Sequence, residues 1–446
     1  MEFVCFLFFD IWCFIFKNCI TNNSFNLYHL KKTILTYLFL ISLFFCRAQQ
    51  NDVFINDFDK FSFEISTNFN LNSNSITNEF ISAYLNGDYI SDELKNKTIE
   101  RLENKNRIGY INNYKAYYFQ KTKNLFGSSD CGFFVGIEYH NLFEVKFRKE
   151  LFEIYFNGNS QFEGQRINLD DMKFNSLKFQ QIKFGLFKNV NIMSGKSTVG
   201  LSLAFNKGQN NFLADVKNAS FYTHTNGEQL ELEIKTDVQH SDTLKNDLWA
   251  FNGVGTSLDF FYVYVNPNDN NLIFEINNFG FISWNNNSYS FSKDTLYNYS
   301  GYNIENIFNV EGEIFQQTST DTLVDEFAYN NENNSYFSFL PMLIQLSYSQ
   351  NLIKDKLTIT GLLNHYNFTE YKPFILLKPN YYFNKNIRVS PLLSYGGYGK
   401  FNAGLEVSFN IAKSFSFIAG TNFLNSYIYP ENLSGQGAYF SLSKKF

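Results

Sequence analysis

Long stretches of the chain alternate apolar and polar residues, which is the pattern of a β-strand with one apolar and one polar face. In residues 401–411 every second residue is apolar, and Asn, Gly, Glu, Ser and Asn occupy the positions between them. Similar alternation begins at Val199, Leu230 and Leu340. The pattern predicts β-strands over most of the chain.

Clusters of Asn, Asp and Pro separate these strands and are typical of hairpin connections. Residues 266–271 (Asn-Pro-Asn-Asp-Asn-Asn) and 384–386 (Asn-Lys-Asn) are two examples. From residue 253 onward, the turns predict consecutive hairpins, apart from one long polar loop over residues 283–335. The strands are roughly 10–12 residues long, close to the length that crosses a bilayer when tilted. Strands of ordinary globular proteins are about five or six residues long.

Two segments interrupt the alternation. Residues 92–106 are charged and polar, which predicts an exposed loop or a short helix. Residues 149–156 (Lys-Glu-Leu-Phe-Glu-Ile-Tyr-Phe) predict a short helix that ends at Asn157-Gly158. No change of composition indicates a second domain, so residues 49–446 are predicted to form a single one.

The N-terminal region has the features of an export signal. Lys31 and Lys32 precede an apolar run, residues 34–45, and Cys46-Arg47-Ala48 has small residues at the expected cleavage positions. Residues 30–48 are therefore predicted to be a signal peptide. Residues 1–29 fit no part of such a signal and are predicted to be an extended prefix or the product of a mis-assigned start, with Leu30 as the true initiator.

Composition restricts the class of protein further. The 446 residues are 19% aromatic and 18% charged, with a net charge of −5. So much aromatic surface must be buried, which excludes a disordered chain, and the negative charge excludes a basic nucleic-acid-binding protein. Beyond the N-terminus no apolar run approaches the ~18 residues of a spanning helix.

The residues that usually carry chemistry are few. Four of the five cysteines precede residue 49, which leaves Cys131 alone and excludes a disulfide framework. The histidines beyond that point, His140, His224, His240 and His365, are not spaced as metal pairs. No nucleophile-elbow motif of the Gly-x-Ser-x-Gly kind is present. The sequence therefore predicts a protein that is not an enzyme and binds no metal or cofactor.

An outer-membrane β-barrel explains these features better than a soluble sandwich. The export signal places the chain outside the inner membrane, and sequential long hairpins suit a closed meander without free edges. Aromatic residues recur near strand ends, as an interfacial girdle requires. The predicted fold is all-β: an antiparallel up-and-down transmembrane β-barrel of roughly 14 strands, with long polar loops and one short helix.

Five residues are candidates for specific roles in such a barrel. Asp259 is predicted to point into the lumen as a buried carboxylate, and Trp284 to lie at the bilayer interface. Phe440, Leu442 and the terminal Phe446 share one face of the last strand. They are predicted to form the signal by which the barrel-assembly machinery inserts the chain.

Two short motifs resemble a known family. Residues 253–259 (Gly-Val-Gly-Thr-Ser-Leu-Asp) and 278–284 (Asn-Phe-Gly-Phe-Ile-Ser-Trp) are similar to the paired signatures of an uncharacterised Bacteroidota outer-membrane β-barrel family, known only as a domain of unknown function. In that family a Gly-x-Gly-x-x-x-Asp strand precedes a Leu-Gly-Phe-Ile-x-Trp strand end. The resemblance implies a barrel in the outer membrane and no particular activity.

Two functions are retained at this stage, ahead of a third, an outer-membrane enzyme. The first is passive transport or binding of small solutes or lipids across the outer membrane, with the polar segment 51–130 as a candidate plug of the lumen. The alternative is a non-transporting scaffold of a secretion or surface-display assembly. In both, the expected partners are outer-membrane lipid and, during insertion, the barrel-assembly machinery, with no nucleic acid.

Overall fold

The computed structural model describes residues 61–122, 130–190, 195–225, 229–242, 247–299, 334–411 and 414–446. The predicted signal peptide and prefix, and most of the predicted polar loop over residues 283–335, lie outside the described residues. Strands dominate the described part, as the alternation predicts. They are β1 (Phe61–Ser73), β2 (Lys105–Thr122), β3 (Cys131–Arg148), β4 (Arg166–Asn168), β5 (Met172–Val190), β6 (Lys196–Thr223), β7 (Leu230–His240), β8 (Gly253–Val265), β9 (Asn271–Trp284), β10 (Tyr289–Tyr299), β11 (Phe337–Phe339), β12 (Met342–Ile353), β13 (Leu357–Asn367), β14 (Lys372–Asn384), β15 (Ile387–Gly397), β16 (Asn402–Ile411), β17 (Phe415–Thr421) and β18 (Gln436–Lys445).

Fourteen of these strands pair antiparallel in a closed ring. Its order is β1-β2-β3-β5-β6-β8-β9-β12-β13-β14-β15-β16-β17-β18. The ring closes because β1 pairs with β2 along one side and with β18 along the other. Every strand of the ring therefore has two neighbours, which removes the free edges of an open sheet. The predicted barrel of roughly 14 strands is confirmed.

The outer wall of the ring is apolar, and the inner wall is largely polar. On β5, Ile182, Phe184 and Leu186 are 46%, 63% and 50% exposed, whereas Lys183 between them is 1% exposed. In a soluble sandwich the apolar faces would be buried against each other. The observed arrangement is that of an outer-membrane β-barrel, in which the apolar face contacts lipid.

Short helices lie at one end of the barrel. They are α1 (Asn78–Asn86), α2 (Asp92–Arg101), α3 (Lys149–Asn157) and α4 (Leu424–Ile428). Helix α3 is the predicted one, and α2 decides between the loop and the helix expected for residues 92–106. Thr77 and Ser91 cap α1 and α2 by accepting backbone N–H groups. None of the described helices is both long and apolar enough to cross a membrane.

Beyond the lipid-facing belt, the apolar outer face continues but is covered by protein. On β3, Ile137 is exposed, whereas Phe143 and Val145 on the same face are buried. They belong to an apolar core with Phe80 of α1 and Phe152 of α3, whose rings are 5.2 Å apart. We call this covering layer the collar; it comprises α1–α3 and a rim sheet of β4, the second half of β6, β7 and β10.

The segment proposed as a plug is part of the wall and of the collar. Its described residues, 61–122, form β1 and β2 of the ring with α1 and α2 between them. The expectation that this segment fills the lumen is therefore wrong for residues 61–122. Its two strands pair within the ring, and α1 packs in the apolar core outside the barrel wall.

Candidate functional site

The strand alternation brings three buried charges together inside the lumen. Glu138 of β3, Lys183 of β5 and Asp259 of β8 all occupy inward positions. Lys183 Nζ lies 2.8 Å from Asp259 Oδ2 and 3.2 Å from Glu138 Oε1. We call these three residues the Lys183 cluster. A buried charge is tolerated only when it is paired and hydrogen-bonded.

Further polar side chains surround Glu138. His140 Nε2 lies 2.5 Å from Glu138 Oε2, and Lys115 Nζ lies 3.6 Å from Glu138 Oε1. The Tyr117 hydroxyl also donates to Glu138. Both carboxylates of the cluster thus face a lysine, which fixes their positions and balances their charge.

Asp259 also accepts a hydrogen bond from the backbone at a β-bulge in the barrel wall. The ladder between β8 and β9 shifts register between Leu258 and Phe260, and the facing Asn278 has a positive φ of 63°. The Asn278 backbone N–H donates to Asp259 Oδ1 at 2.7 Å, and Lys183 Nζ donates to Asn278 Oδ1 at 3.3 Å. The bulge frees a backbone donor inside the barrel, and this carboxylate satisfies it.

A cavity of about 60 Å³, lined by polar residues and also by Ile111, Leu343 and Tyr371, lies beside the cluster. Lys115 lines both, and Glu275 lines the opposite part of the cavity, where its Oε2 accepts from Gln345 Nε2 at 3.2 Å. The buried Asn364 also lines it, and its Oδ1 has no hydrogen-bond partner within the described ranges. The other polar lining residues include Ser66, Asn68, Asn113, Asn277 and Tyr366. An unsatisfied buried acceptor facing a polar cavity is suited to water or a small polar ligand.

A second buried charge group lies on the opposite part of the ring. Glu406 Oε1 accepts from Lys378 Nζ at 3.2 Å and from Arg388 Nη2 at 2.8 Å. Its other oxygen accepts from the Tyr439 hydroxyl at 2.9 Å. This group ties β14, β15, β16 and β18 together across the lumen side of the wall.

A group of aromatic side chains lines the lumen nearer the end of the barrel where Phe61 and Phe446 lie. Phe134 and Phe187 are buried there, with Tyr117 and Phe261 packed against them. The group needs glycine opposite its rings: a Cβ at Gly185 would lie 2.1 Å from the Phe134 ring. These rings lie on the neighbouring strands β2, β3, β5 and β8 and line that part of the inner wall.

The side chains at these sites are suited to binding a polar solute. Within the described ranges, no group of three or more His, Cys, Asp or Glu residues could hold a metal ion. The charged side chains are engaged with each other, while the cavity presents a cation, a carboxylate and amide groups. This set can hold a solute that both donates and accepts hydrogen bonds.

The residues singled out from the sequence have these positions. Asp259 lies in the lumen, as described above. Trp284 ends β9, but its ring is 1% exposed, stacks on Tyr336 and donates to Ser338 Oγ at 2.8 Å. It thus packs within the protein and does not contact lipid.

Phe440, Leu442 and Phe446 lie on or just beyond β18, on the outward face. The Phe446 ring stacks on Phe61 at 4.2 Å, next to the seam where the ring closes. Whether the barrel-assembly machinery recognises these residues stays a prediction.

The sequence analysis missed Glu138, Lys183 and Glu406. Each is a charged residue at a polar position of an amphipathic strand, next to residues that face lipid. That signal is readable, since alternation assigns a charge between two lipid-facing residues to the lumen. It does not tell which charges meet across the strands.

Comparison with protein families gives one match. A family model described as "Family of unknown function (DUF5723)" matches residues 56–422. No curated protein matches the chain.

Several solved barrels resemble the structure weakly. A FadL homologue of Pseudomonas aeruginosa is 9% identical, with 86% of this chain and 90% of that chain covered and a TM-score of 0.38. The toluene transporter TodX of P. putida is 8% identical, with coverages of 87% and 90% and a TM-score of 0.33. The translocator domain of autotransporter NalP from Neisseria meningitidis is 8% identical, with coverages of 87% and 89% and a TM-score of 0.32. At this level of similarity these structures assign no function to the chain.

Proposed function

We propose that this chain, which belongs to the family of unknown function DUF5723, resides in the outer membrane and passes small polar solutes through its lumen. The observation that carries the proposal is the polar cavity beside the Lys183 cluster. It combines Lys115, Glu275 and the unsatisfied Asn364 Oδ1 in the interior of a lipid-facing barrel. Such a constellation favours a ligand that carries both donors and acceptors.

The size of the cavity indicates how passage would occur. About 60 Å³ accommodates a few water molecules, since one water needs roughly 10–15 Å³ measured in this way. A solute larger than water must displace side chains such as Tyr366, which lines the cavity. We therefore propose that passage requires rearrangement of these side chains rather than diffusion through an open pore.

The alternative is a non-transporting scaffold of an envelope assembly. One observation favours it: aromatic side chains pack together on the inner wall beside the cavity, and paired charges such as Glu406 with Lys378 connect neighbouring strands of that wall. A scaffold needs only the outer surface of a rigid barrel.

Solute uptake into vesicles separates the two functions. Vesicles that contain wild-type protein should swell slowly in small polar solutes, without steady large conductance in planar bilayers. Tyr366→Ala should increase the swelling rate severalfold, because it enlarges the cavity. Tyr348→Ala is the matched control, since Tyr348 lies on the neighbouring strand β12 and is exposed on the outer face.

Uptake that is absent in both wild type and Tyr366→Ala would contradict transport. Purification with a stoichiometric partner protein, together with that absence, would instead support the scaffold.

A further inference from the structure

The connection between β7 and β8 exposes three large apolar side chains close together. Trp249 is 82% exposed, Leu248 54% and Phe251 53%, whereas Ala250 between them is buried. In soluble proteins, exposed apolar clusters typically mark sites that bind another protein, a membrane or a ligand. The question is which partner covers them.

The loop is held against the outer wall of the barrel by its backbone. The Leu248 carbonyl accepts from Gln180 Nε2 at 3.3 Å and from Lys207 Nζ at 3.4 Å, and Gln209 Nε2 donates to it as well. Within the loop, the Asp247 carboxylate accepts a hydrogen bond from the Trp249 backbone N–H at 2.8 Å, which stabilises the turn. The loop is thus a built feature with a defined position.

The loop lies at the margin of the lipid-facing belt that is nearer the collar. Gln180 and Lys207 are paired directly across β5 and β6. By strand alternation they share the outer face with Ile182 and Phe205, which lie two residues further from the collar and are exposed to lipid. The neighbouring loop residue Asn252 donates its N–H to the Gly208 carbonyl at 2.9 Å, which fixes the other end of the loop at the same level.

We infer that residues 247–251 form a membrane anchor whose Leu248, Trp249 and Phe251 insert into the lipid leaflet at the collar end of the barrel. The argument is continuity: the three side chains extend the exposed apolar belt at its margin, where Trp and Phe favour the interface. Four residues beyond Tyr139, the β3 partner of Gln180, the outward-facing Phe143 is instead covered by the collar helices. The described part of the chain provides no such cover for the loop.

The anchor has a consequence for the collar. β6 runs from the membrane wall into the rim sheet, and the loop fastens that strand at Lys207 and Gly208, just before the rim sheet begins. Insertion of the loop therefore fixes the depth of the barrel on this side and the height of the rim sheet above the lipid. This role does not depend on whether the lumen passes solutes.

Tryptophan quenching in vesicles tests the anchor. The full protein is reconstituted with phosphatidylcholine brominated at shallow or at deep acyl positions, and wild type is compared with Trp249→Phe. The difference between their emission intensities isolates Trp249 from the other two tryptophans, Trp12 and the buried Trp284. We expect this difference to be quenched severalfold by shallow bromines, less by deep ones, and little by acrylamide in the water.

A tryptophan in the collar provides the matched control. Tyr89, between α1 and α2, is 86% exposed, so Tyr89→Trp combined with Trp249→Phe should be quenched by acrylamide and not by brominated lipid. Phe251→Trp in the same Trp249→Phe background should behave like Trp249. The inference would be overturned if acrylamide quenched Trp249, and the tryptophan of Phe251→Trp, as strongly as the control and brominated lipid had no effect on either.

Discussion

At the scale of single residues, the energetics of the lumen depend on Lys183. Its ammonium group faces two carboxylates, and all three groups are buried. Removing one partner of a buried ion pair typically costs about 3–5 kcal/mol, because an uncompensated charge remains. Exposed ion pairs contribute only about 0–1 kcal/mol. The position of a charge, more than its presence, decides its effect.

Lys183→Met should therefore destabilise the barrel by about 3–5 kcal/mol. Asp259→Asn should cost less than Asp259→Ala, because the Asn oxygen can still accept the freed N–H of Asn278. The measurement is denaturant unfolding in lipid vesicles, followed by tryptophan fluorescence. Lys235→Met is the control, since Lys235 pairs with Asp294 on the exposed rim sheet. Equal losses for the Lys183 and Lys235 variants would contradict the assigned role.

At the scale of elements, the long strands serve two environments. β6 faces lipid at Leu201 and Leu203, then continues beyond the belt, where it pairs with β7 in the rim sheet. There its Val216 and Phe221 are buried in the apolar core of the collar. The alternation is interrupted by the register shifts beside Gln209 and between Val216 and Asn218, and the outer face of the strand contacts lipid in one half and protein in the other.

The rim sheet should lose stability in acid because of His240, which lies outside the membrane-spanning part of the barrel. The ring packs edge-on against Phe212 at 5.4 Å, and burial lowers the pKa of His240 from 6.5 to about 4, against the opposing effect of Asp242. Between these pH values the unfolded chain binds a proton that the folded chain does not. Stability is therefore complete above about pH 6.5 and falls as the pH approaches 4.

We expect this loss to be on the order of 1–2 kcal/mol, because the ring retains some exposure to solvent. Thermal unfolding at pH 7 and pH 4.5 measures it, and His240→Gln should show a smaller drop in Tm than wild type. His224→Gln removes another histidine of the rim region and is the control. A drop in His240→Gln equal to that of wild type would show that His240 is not responsible.

At the scale of the whole molecule, closure of the ring is the main source of cooperativity. The β1–β18 ladder joins the two ends of the described chain, from Ser62 paired with Lys445 to Leu71 paired with Gln436. No strand of the ring can leave without exposing backbone groups to lipid, where unsatisfied groups cost several kcal/mol each.

The closed ring should be visible as heat-modifiable mobility in gels. Unheated protein in mild detergent should migrate faster than boiled protein, because the barrel stays compact until heat opens it. Deletion of residues 436–446, which removes β18, should abolish the shift. Identical mobility of heated and unheated wild type would contradict a closed barrel.

Much of this architecture is readable from the chain alone. Period-two alternation identifies which side chains of a strand share a face, because successive side chains point to opposite sides. Asn-rich turns mark the ends of hairpins, as at residues 266–271. These local rules are sufficient for a barrel of about 14 strands and for the inward position of Asp259, since each depends only on neighbouring residues.

The tertiary structure decided the pairings between distant residues. Which charges meet Lys183, and which helix covers Phe143, depends on strand register and on bulges such as the one at Asn278. Trp284 shows what sequence cannot predict. Its position at a strand end follows from neighbouring residues, but its burial against Tyr336 depends on a segment far along the chain. Sequence alone determined the faces of the strands, and only the closed fold determined what each face contacts, because contacts across the ring depend on geometry accumulated over many strands.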